Sequence, residues 1–97
     1  MSYKLLLTQE AAKNIKSLEN PALVKRFKAV KKALRFLAHD PRHPSLNTHK
    51  YSSFVGPNDE EVFEAYAENK TPGAYRIFWF YGPEKSHITI IAVTPHP

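Results

Sequence analysis

Arg76 stands inside the aromatic run YRIFWFY (75–81), where a cation must either snorkel from a sheet edge or point across an open sheet face. Glu64 lies in the preceding apolar stretch, 62–67, where Val62, Glu64 and Tyr66 share one parity. If the two stretches are paired strands, roughly 4.8 Å apart, the carboxylate and the guanidinium can meet across the sheet. His96 follows the last apolar run, where the chain leaves the sheet. An unperturbed imidazole titrates near ~6.5, which suits proton transfer at neutral pH.

These three groups fit one reaction, RNA cleavage by attack of a 2′-hydroxyl on the adjacent phosphate. That chemistry needs a base at the 2′-hydroxyl, an acid at the 5′-oxygen and a cation against the extra charge on phosphorus. Arginine suits the last task, because its rigid fork donates two bonds and never deprotonates. The expected roles are Arg76 at the phosphate, His96 as general acid and Glu64 as base. The route needs no metal, and no cofactor is expected. A structural reading of the same residues stays open. Glu64 and Arg76 can be a cross-strand pair contributing ~0.2–1 kcal/mol, and His96 a terminal residue without a role.

Other chemistries are excluded or unsupported. The chain has no cysteine, which removes disulfides, Cys-based zinc sites and thiol nucleophiles. With three glycines it has no glycine-rich phosphate loop, and GxSxG, HExxH and EF-hand patterns are missing. His39 and His43 have the spacing of helical metal ligands, but Pro41 between them breaks a helix, so no metal site is expected.

The 97 residues make one domain, 1–97, with 42% apolar and 24% charged residues, a globular balance. The net charge is +5 and is unevenly placed. Residues 1–50 carry 11 basic and 3 acidic groups, residues 51–97 carry 3 basic and 6 acidic ones. Such asymmetry points either to a surface that meets a polyanion or to an ordinary solvated helix face. No apolar run approaches the ~18–20 residues of a membrane span, and no secretory signal opens the chain. A cytoplasmic protein without membrane attachment is the expectation.

The elements that must position the site read as β-α-α-β-β-β-β. Tyr3 to Leu7 is a short strand, too apolar on both parities for an exposed edge. Thr8 offers an N-cap for a helix with Ala11, Ile15 and Leu18 on one face. Asn20-Pro21 ends it and starts a second helix. There Leu23, Phe27, Val30, Leu34 and Leu37 form a continuous apolar stripe, and Lys25, Lys28, Lys32 and Arg35 repeat on another face. Asp40-Pro41 closes that helix. Residues 40–48 form a loop, a short strand follows around His49-Lys50-Tyr51, and 52–61 is again a loop. Strands follow at 62–67, 75–81 and 87–94, the last of them central. The fold class is α+β, with two N-terminal helices on one face of a small, mostly antiparallel sheet of four to five strands. The other face is left to solvent or a ligand.

Within that frame Lys25, Lys28, Lys32 and Arg35 can collect an RNA backbone. His49 and Lys50 can hold neighbouring phosphates, or serve the loop end structurally. Tyr66 and Tyr75 can stack on unpaired bases at ~1–3 kcal/mol each, or pack in the sheet.

The element order, the basic second helix, DPRHPSLNTHKY (40–51), AYRIFWFYG (74–82) and the ending ITIIAVTPHP (88–97) together resemble the RelE/ParE toxin superfamily. The resemblance covers nearly the whole chain. The nearest pattern is a RelE-like branch with an ENxTPxAYR hairpin, here Glu68 to Arg76, and a terminal TPHP, here Thr94 to Pro97. It implies the toxin half of a type II toxin–antitoxin pair, with a cognate antitoxin protein as partner. RelE-like members cut mRNA on the ribosome with an arginine in the Tyr-Arg strand, matched by Arg76. Many have an Arg or His past the last strand, matched by His96. The basic residues that some carry on the preceding strand are replaced here by Glu64 and Tyr66, and the terminal tyrosine or further helix of others is missing. Some members use a glutamate with histidine and arginine, a place Glu64 can fill. ParE-like members instead inhibit DNA gyrase, so a gyrase inhibitor, or a degenerate antitoxin-binding protein, is the alternative. Cleavage-site preference and oligomeric state are not legible.

Overall fold

The computed structural model describes residues 2–96. Its first strand, β1 (Lys4–Leu7), leads directly into α1 (Gln9–Lys16). The junction is fixed by Thr8, whose Oγ1 accepts the Ala11 N–H at 3.1 Å and donates to the Ile91 carbonyl at 2.9 Å. Asn20 caps a short 3-10 turn, Pro21–Leu23, through the Ala22 N–H. The long helix α2 follows (Val24–His39) and stops before Pro41. A second 3-10 turn, Pro44–Leu46, leads to β2 (His49–Val55), β3 (Glu61–Tyr66), β4 (Tyr75–Tyr81) and β5 (His87–Pro95).

The five strands form one sheet in the order β1-β5-β4-β3-β2. The β1–β5 pair is parallel and the other three are antiparallel. The expected α+β architecture is therefore present, with three differences in detail. β1 is an edge strand, paired with β5 alone. It tolerates the edge because Tyr3 and Leu5 pack on the core while Lys4 is exposed. β5 is interior, but the middle strand is β4. Residues 52–55, read as loop, continue β2 through a register shift between Lys50 and Val55. Polar Ser52 and Ser53 hide that strand from a search for apolar alternation.

Both helices pack on the same sheet face. Ala11 and Leu18 from the α1 region and Val30, Ala33 and Leu37 from α2 meet Phe63, Ala65, Ile77, Trp79, Ile88, Ile90 and Val93. Leu23, Phe27 and Leu34 of the apolar stripe are only half-buried, at the rim of this core. Strand parity sends Trp79 to the helices and Phe78 to the opposite face. Trp79 is fully buried, stacks on Phe63 with centroids 4.9 Å apart, and leaves its Nε1–H unpartnered among the described residues. Trp79→Ala is expected to cost about 3–5 kcal/mol of stability. Trp79→Phe, which removes the orphaned N–H and keeps a ring, should cost much less. Urea unfolding of both variants checks this ordering.

The second face is not left bare. Val62, Phe78 and Phe80 are buried there beneath Tyr51, Ile91 and Ala92. The Tyr51 and Phe54 rings lie 4.8 and 5.1 Å from Phe78, so the curled β2 partly covers this face. At the far end of the helix-side face, where its ring meets Tyr3, Phe63 and Trp79, burial pushes the Tyr81 hydroxyl upward in pKa, against the opposing charge of Arg42. The end of the second face near the β3–β4 turn stays polar.

Candidate functional site

That polar end is organised around Glu64. In register, Glu64 faces His49 of β2 and Phe78 of β4, while Arg76 faces Tyr66 of β3 and Thr94 of β5. Glu64 and Arg76 are therefore diagonal neighbours on one face, not directly opposed. Glu64 is 2% exposed, yet it carries an ionisable group, so its partners must offset the cost of burial. Oε1 accepts from His49 Nε2 at 2.7 Å, and Oε2 accepts from His96 Nδ1 at 3.1 Å. Arg76 Nε lies 3.5 Å from Oε2.

Arg76 is buried as well, at 7% exposure. Its guanidinium carbon lies over the Tyr66 ring, 3.6 Å from the centroid, and Nη1 donates to the Glu68 carbonyl at 2.6 Å. Its Nε has no hydrogen bond of its own among the described residues. The two imidazoles are the exposed part of the cluster, about half accessible at 46% for His49 and 53% for His96. His96 is anchored past the end of β5 by its backbone N–H, which donates to the Ala74 carbonyl at 2.8 Å. With Nδ1 on Glu64, its Nε2 has no protein partner among the described residues. His49 sits between two acceptors, because Nδ1 is 2.7 Å from the Asn47 carbonyl. A carbonyl and a carboxylate only accept, so the doubly protonated ring is the form that fills both bonds.

The structure thus gathers Glu64, Arg76, His96, His49 and Tyr66. It does not gather the rest. Lys25, Lys28 and Arg35 project from α2, on the helix side of the sheet, and Lys32 reaches the rim near Tyr66. Lys50 pairs with Glu61 at 2.8 Å in an exposed contact. Tyr75 has the opposite parity and packs on the helix-side core beneath Arg26, 4.7 Å from its ring centroid. Strand alternation thus sets Tyr75, a base-stacking or sheet-packing candidate, on the side opposite Arg76. Glu64, the expected base, has both carboxylate oxygens engaged. It is 2% exposed and touches the two imidazoles that flank it. The terminal Pro97 of the TPHP ending lies outside the described residues.

Two residues were not singled out. Glu68 Oε1 accepts from Arg26 Nε at 2.8 Å and from the Tyr75 N–H at 3.0 Å, and Arg26 Nη2 donates to the Pro72 carbonyl at 3.3 Å. This strap ties α2 to the 68–75 turn, whose Glu68 carbonyl holds Arg76. Glu68 belongs to the ENxTPxAYR segment and so carried a signal. Nothing in the sequence joins Arg26 to it across 42 positions. Glu68→Ala is expected to reduce the effect of Arg26→Ala on stability by the share of their ion pair, leaving the loss of the Pro72 bond and of the Tyr75 contact. A double-mutant cycle by thermal melting measures that coupling.

No family model matches this sequence, and neither does any curated protein. Solved structures do. A chain of the archaeal RelE–RelB complex from Pyrococcus horikoshii OT3 superposes with a TM-score of 0.66 at 18% identity, covering 98% of this chain and 96% of that one. A YoeB/ParE toxin from Agrobacterium tumefaciens gives 0.71 at 8% identity, over 97% and 99%. The YoeB dimer from Staphylococcus aureus gives 0.63 at 14% identity, over 100% of both chains. At such identities the likeness is one of architecture, and it runs the full length of each chain, so the protein described here has the fold of the RelE/ParE toxin superfamily.

Proposed function

We propose that this chain is the toxin of a type II toxin–antitoxin pair and that it cleaves mRNA on the ribosome. The observation that carries this reading is the buried Glu64 carboxylate holding two half-exposed imidazoles beside Arg76. A carboxylate on one ring nitrogen leaves the other nitrogen oriented for proton transfer and stabilises the imidazolium. In this scheme the 2′-oxygen bonds to phosphorus, its proton passes to solvent water, and the bond from phosphorus to the 5′-oxygen breaks. His96, through Nε2, donates a proton to that 5′-oxygen. Arg76 and His49 supply positive charge near the phosphorane, and Glu64 positions both rings. The products are a 2′,3′-cyclic phosphate and a 5′-hydroxyl.

The antitoxin partner rests on the fold and on charge. A chain of the same fold comes from a RelE–RelB complex. The basic surface of α2 would steer an acidic partner segment, so association should weaken as salt rises.

Induction in cells separates this reading from gyrase inhibition. Separate labelling of new protein and new DNA should show translation failing first, with shortened mRNA. DNA synthesis failing first under normal translation would favour the ParE-like activity. Unaffected synthesis of both would favour an antitoxin-binding protein without catalysis.

A further inference from the structure

The β3–β4 ladder ends at the pair Tyr66–Arg76, so the Glu68 carbonyl that holds Arg76 lies past the last paired residues. Main-chain bonds close the hairpin only loosely there. The N–H groups of Ala67 and Glu68 share the Tyr75 carbonyl, at 3.1 and 3.2 Å, and the turn beyond them holds two residues at positive φ, Lys70 and Gly73. What fixes residue 68 is its side chain. Oε1 accepts the Tyr75 N–H at 3.0 Å and Arg26 Nε at 2.8 Å, and both side chains of this ion pair are half-buried. Arg26 makes two further contacts with the same turn. Its guanidinium carbon lies 4.7 Å from the Tyr75 ring centroid, and Nη2 donates to the Pro72 carbonyl at 3.3 Å. One α2 side chain thus clamps the turn at residues 68, 72 and 75.

The clamp determines which edge of Arg76 is left for a ligand. A guanidinium carries its N–H donors in one rigid plane, so holding one nitrogen orients the others. Nη1 donates to the Glu68 carbonyl at 2.6 Å and to the Tyr75 carbonyl at 3.4 Å. Nε lies 3.5 Å from Glu64 Oε2 and is the buried nitrogen of this group without a hydrogen bond among the described residues. Nη2 has no protein partner among them and is not buried. Resting on the RNA-cleaving reading above, we propose that Arg26 and Glu68 are positioning residues for this reaction: they fix the carbonyl that orients Arg76, so that its Nη2 edge meets the phosphorane. Neither touches the RNA. Arg26 is thereby separated from the lysines of its own helix. It is the α2 cation that forms an ion pair among the described residues, so its charge is already matched, whereas Lys25 and Lys28 are exposed and free to meet phosphates. A misplacement of about 1 Å at a group acting in the transition state costs up to ~10²-fold in rate. Loss of Arg26 is therefore felt in turnover and not in RNA affinity.

The test is a mutant cycle on rate, with a second readout that needs no RNA. Single-turnover cleavage on programmed ribosomes is measured for the intact protein, Arg26→Gln, Arg76→Ala and the double variant, at a temperature where circular dichroism shows all four folded. Arg26→Gln should slow cleavage about 10–100-fold when Arg76 is present and no further when it is alanine. Arg26→Lys, which still offers Glu68 a charge, should recover most of the loss. Affinity for an RNA with 2′-fluoro sugars, which lacks the attacking hydroxyl, should stay within about twofold in Arg26→Gln and keep its salt dependence, whereas Lys28→Ala should lower both. Equal slowing in both Arg76 backgrounds overturns the proposal, as does an affinity loss that accounts for the rate loss, or cleavage by Arg26→Gln at the intact rate. The second readout is the nitrogen-15 spectrum of the arginine side chains, with the Arg76 signals assigned by their loss in Arg76→Ala. A carbonyl on Nη1 slows rotation of the guanidinium and resolves its N–H signals, and Arg26→Gln should collapse them. Collapse in a protein that cleaves no RNA supports the hold of Arg26 on Arg76 and removes the nuclease reading. Cleavage by the intact protein with Arg76 signals unchanged in Arg26→Gln keeps that reading and overturns the positioning role.

Discussion

His96→Gln is expected to slow single-turnover RNA cleavage by roughly 10²–10⁴-fold, the contribution of a positioned acid or base. The argument rests on which nitrogen is free. Nδ1 is held on Glu64 at 3.1 Å, and Nε2 has no partner among the described residues. Glutamine can still donate to Glu64 from its amide, but it carries no proton that it can transfer at neutral pH. The side chain is half exposed, so the melting temperature should hardly move. Affinity for a non-cleavable RNA should also be nearly unchanged, because proton donation to the leaving oxygen is realised only in the transition state. A variant that loses affinity and rate together would assign His96 to binding instead.

The second large effect concerns stability. Glu64→Ala removes the carboxylate diagonal to Arg76, 3.5 Å from its Nε, while leaving the guanidinium buried at 7% exposure. Breaking one side of a buried ion pair costs about 3–5 kcal/mol, because the remaining charge is uncompensated. The cation–π contact with Tyr66 and the bond to the Glu68 carbonyl offset only part of this. Combining Glu64→Leu with Arg76→Met replaces both charges by apolar groups and should recover most of the loss. Urea unfolding reads both results. If Glu64→Ala alone costs under about 1 kcal/mol, the cluster behaves as a solvent-screened surface pair.

Much of this architecture is legible in the sequence because the elements carry strong periodic signals. The stripe from Leu23 to Leu37 marks α2, and Thr8 and Asn20 mark the caps that the structure shows. Parity placed Val62, Glu64 and Tyr66 on one face, and these three do share the face of Phe78. What sequence could not supply is register and the pairing of distant segments. Tyr75 and Arg76 are adjacent, yet alternation sends one to the helix-side core and the other to the site. His49 was read either as a phosphate contact or as a structural residue at the loop end. Only the 49–64 pairing brings its ring to the carboxylate. The β1 edge could not be foreseen either, since Leu5 and Leu6 read as interior residues and the chain order does not say that β5 is the only neighbour. The basic row of α2 was legible, but its separation from the site by the thickness of the sheet is a property of the assembled layers.

The most direct measurement is cleavage of mRNA on programmed ribosomes by the purified protein, with the ends of the fragments identified. The account predicts fragments with 2′,3′-cyclic phosphate and 5′-hydroxyl ends, formed without added metal and slowed at least ~10²-fold by both Arg76→Ala and His96→Gln. Intact mRNA under these conditions, or cleavage at the wild-type rate by both folded variants, would contradict it.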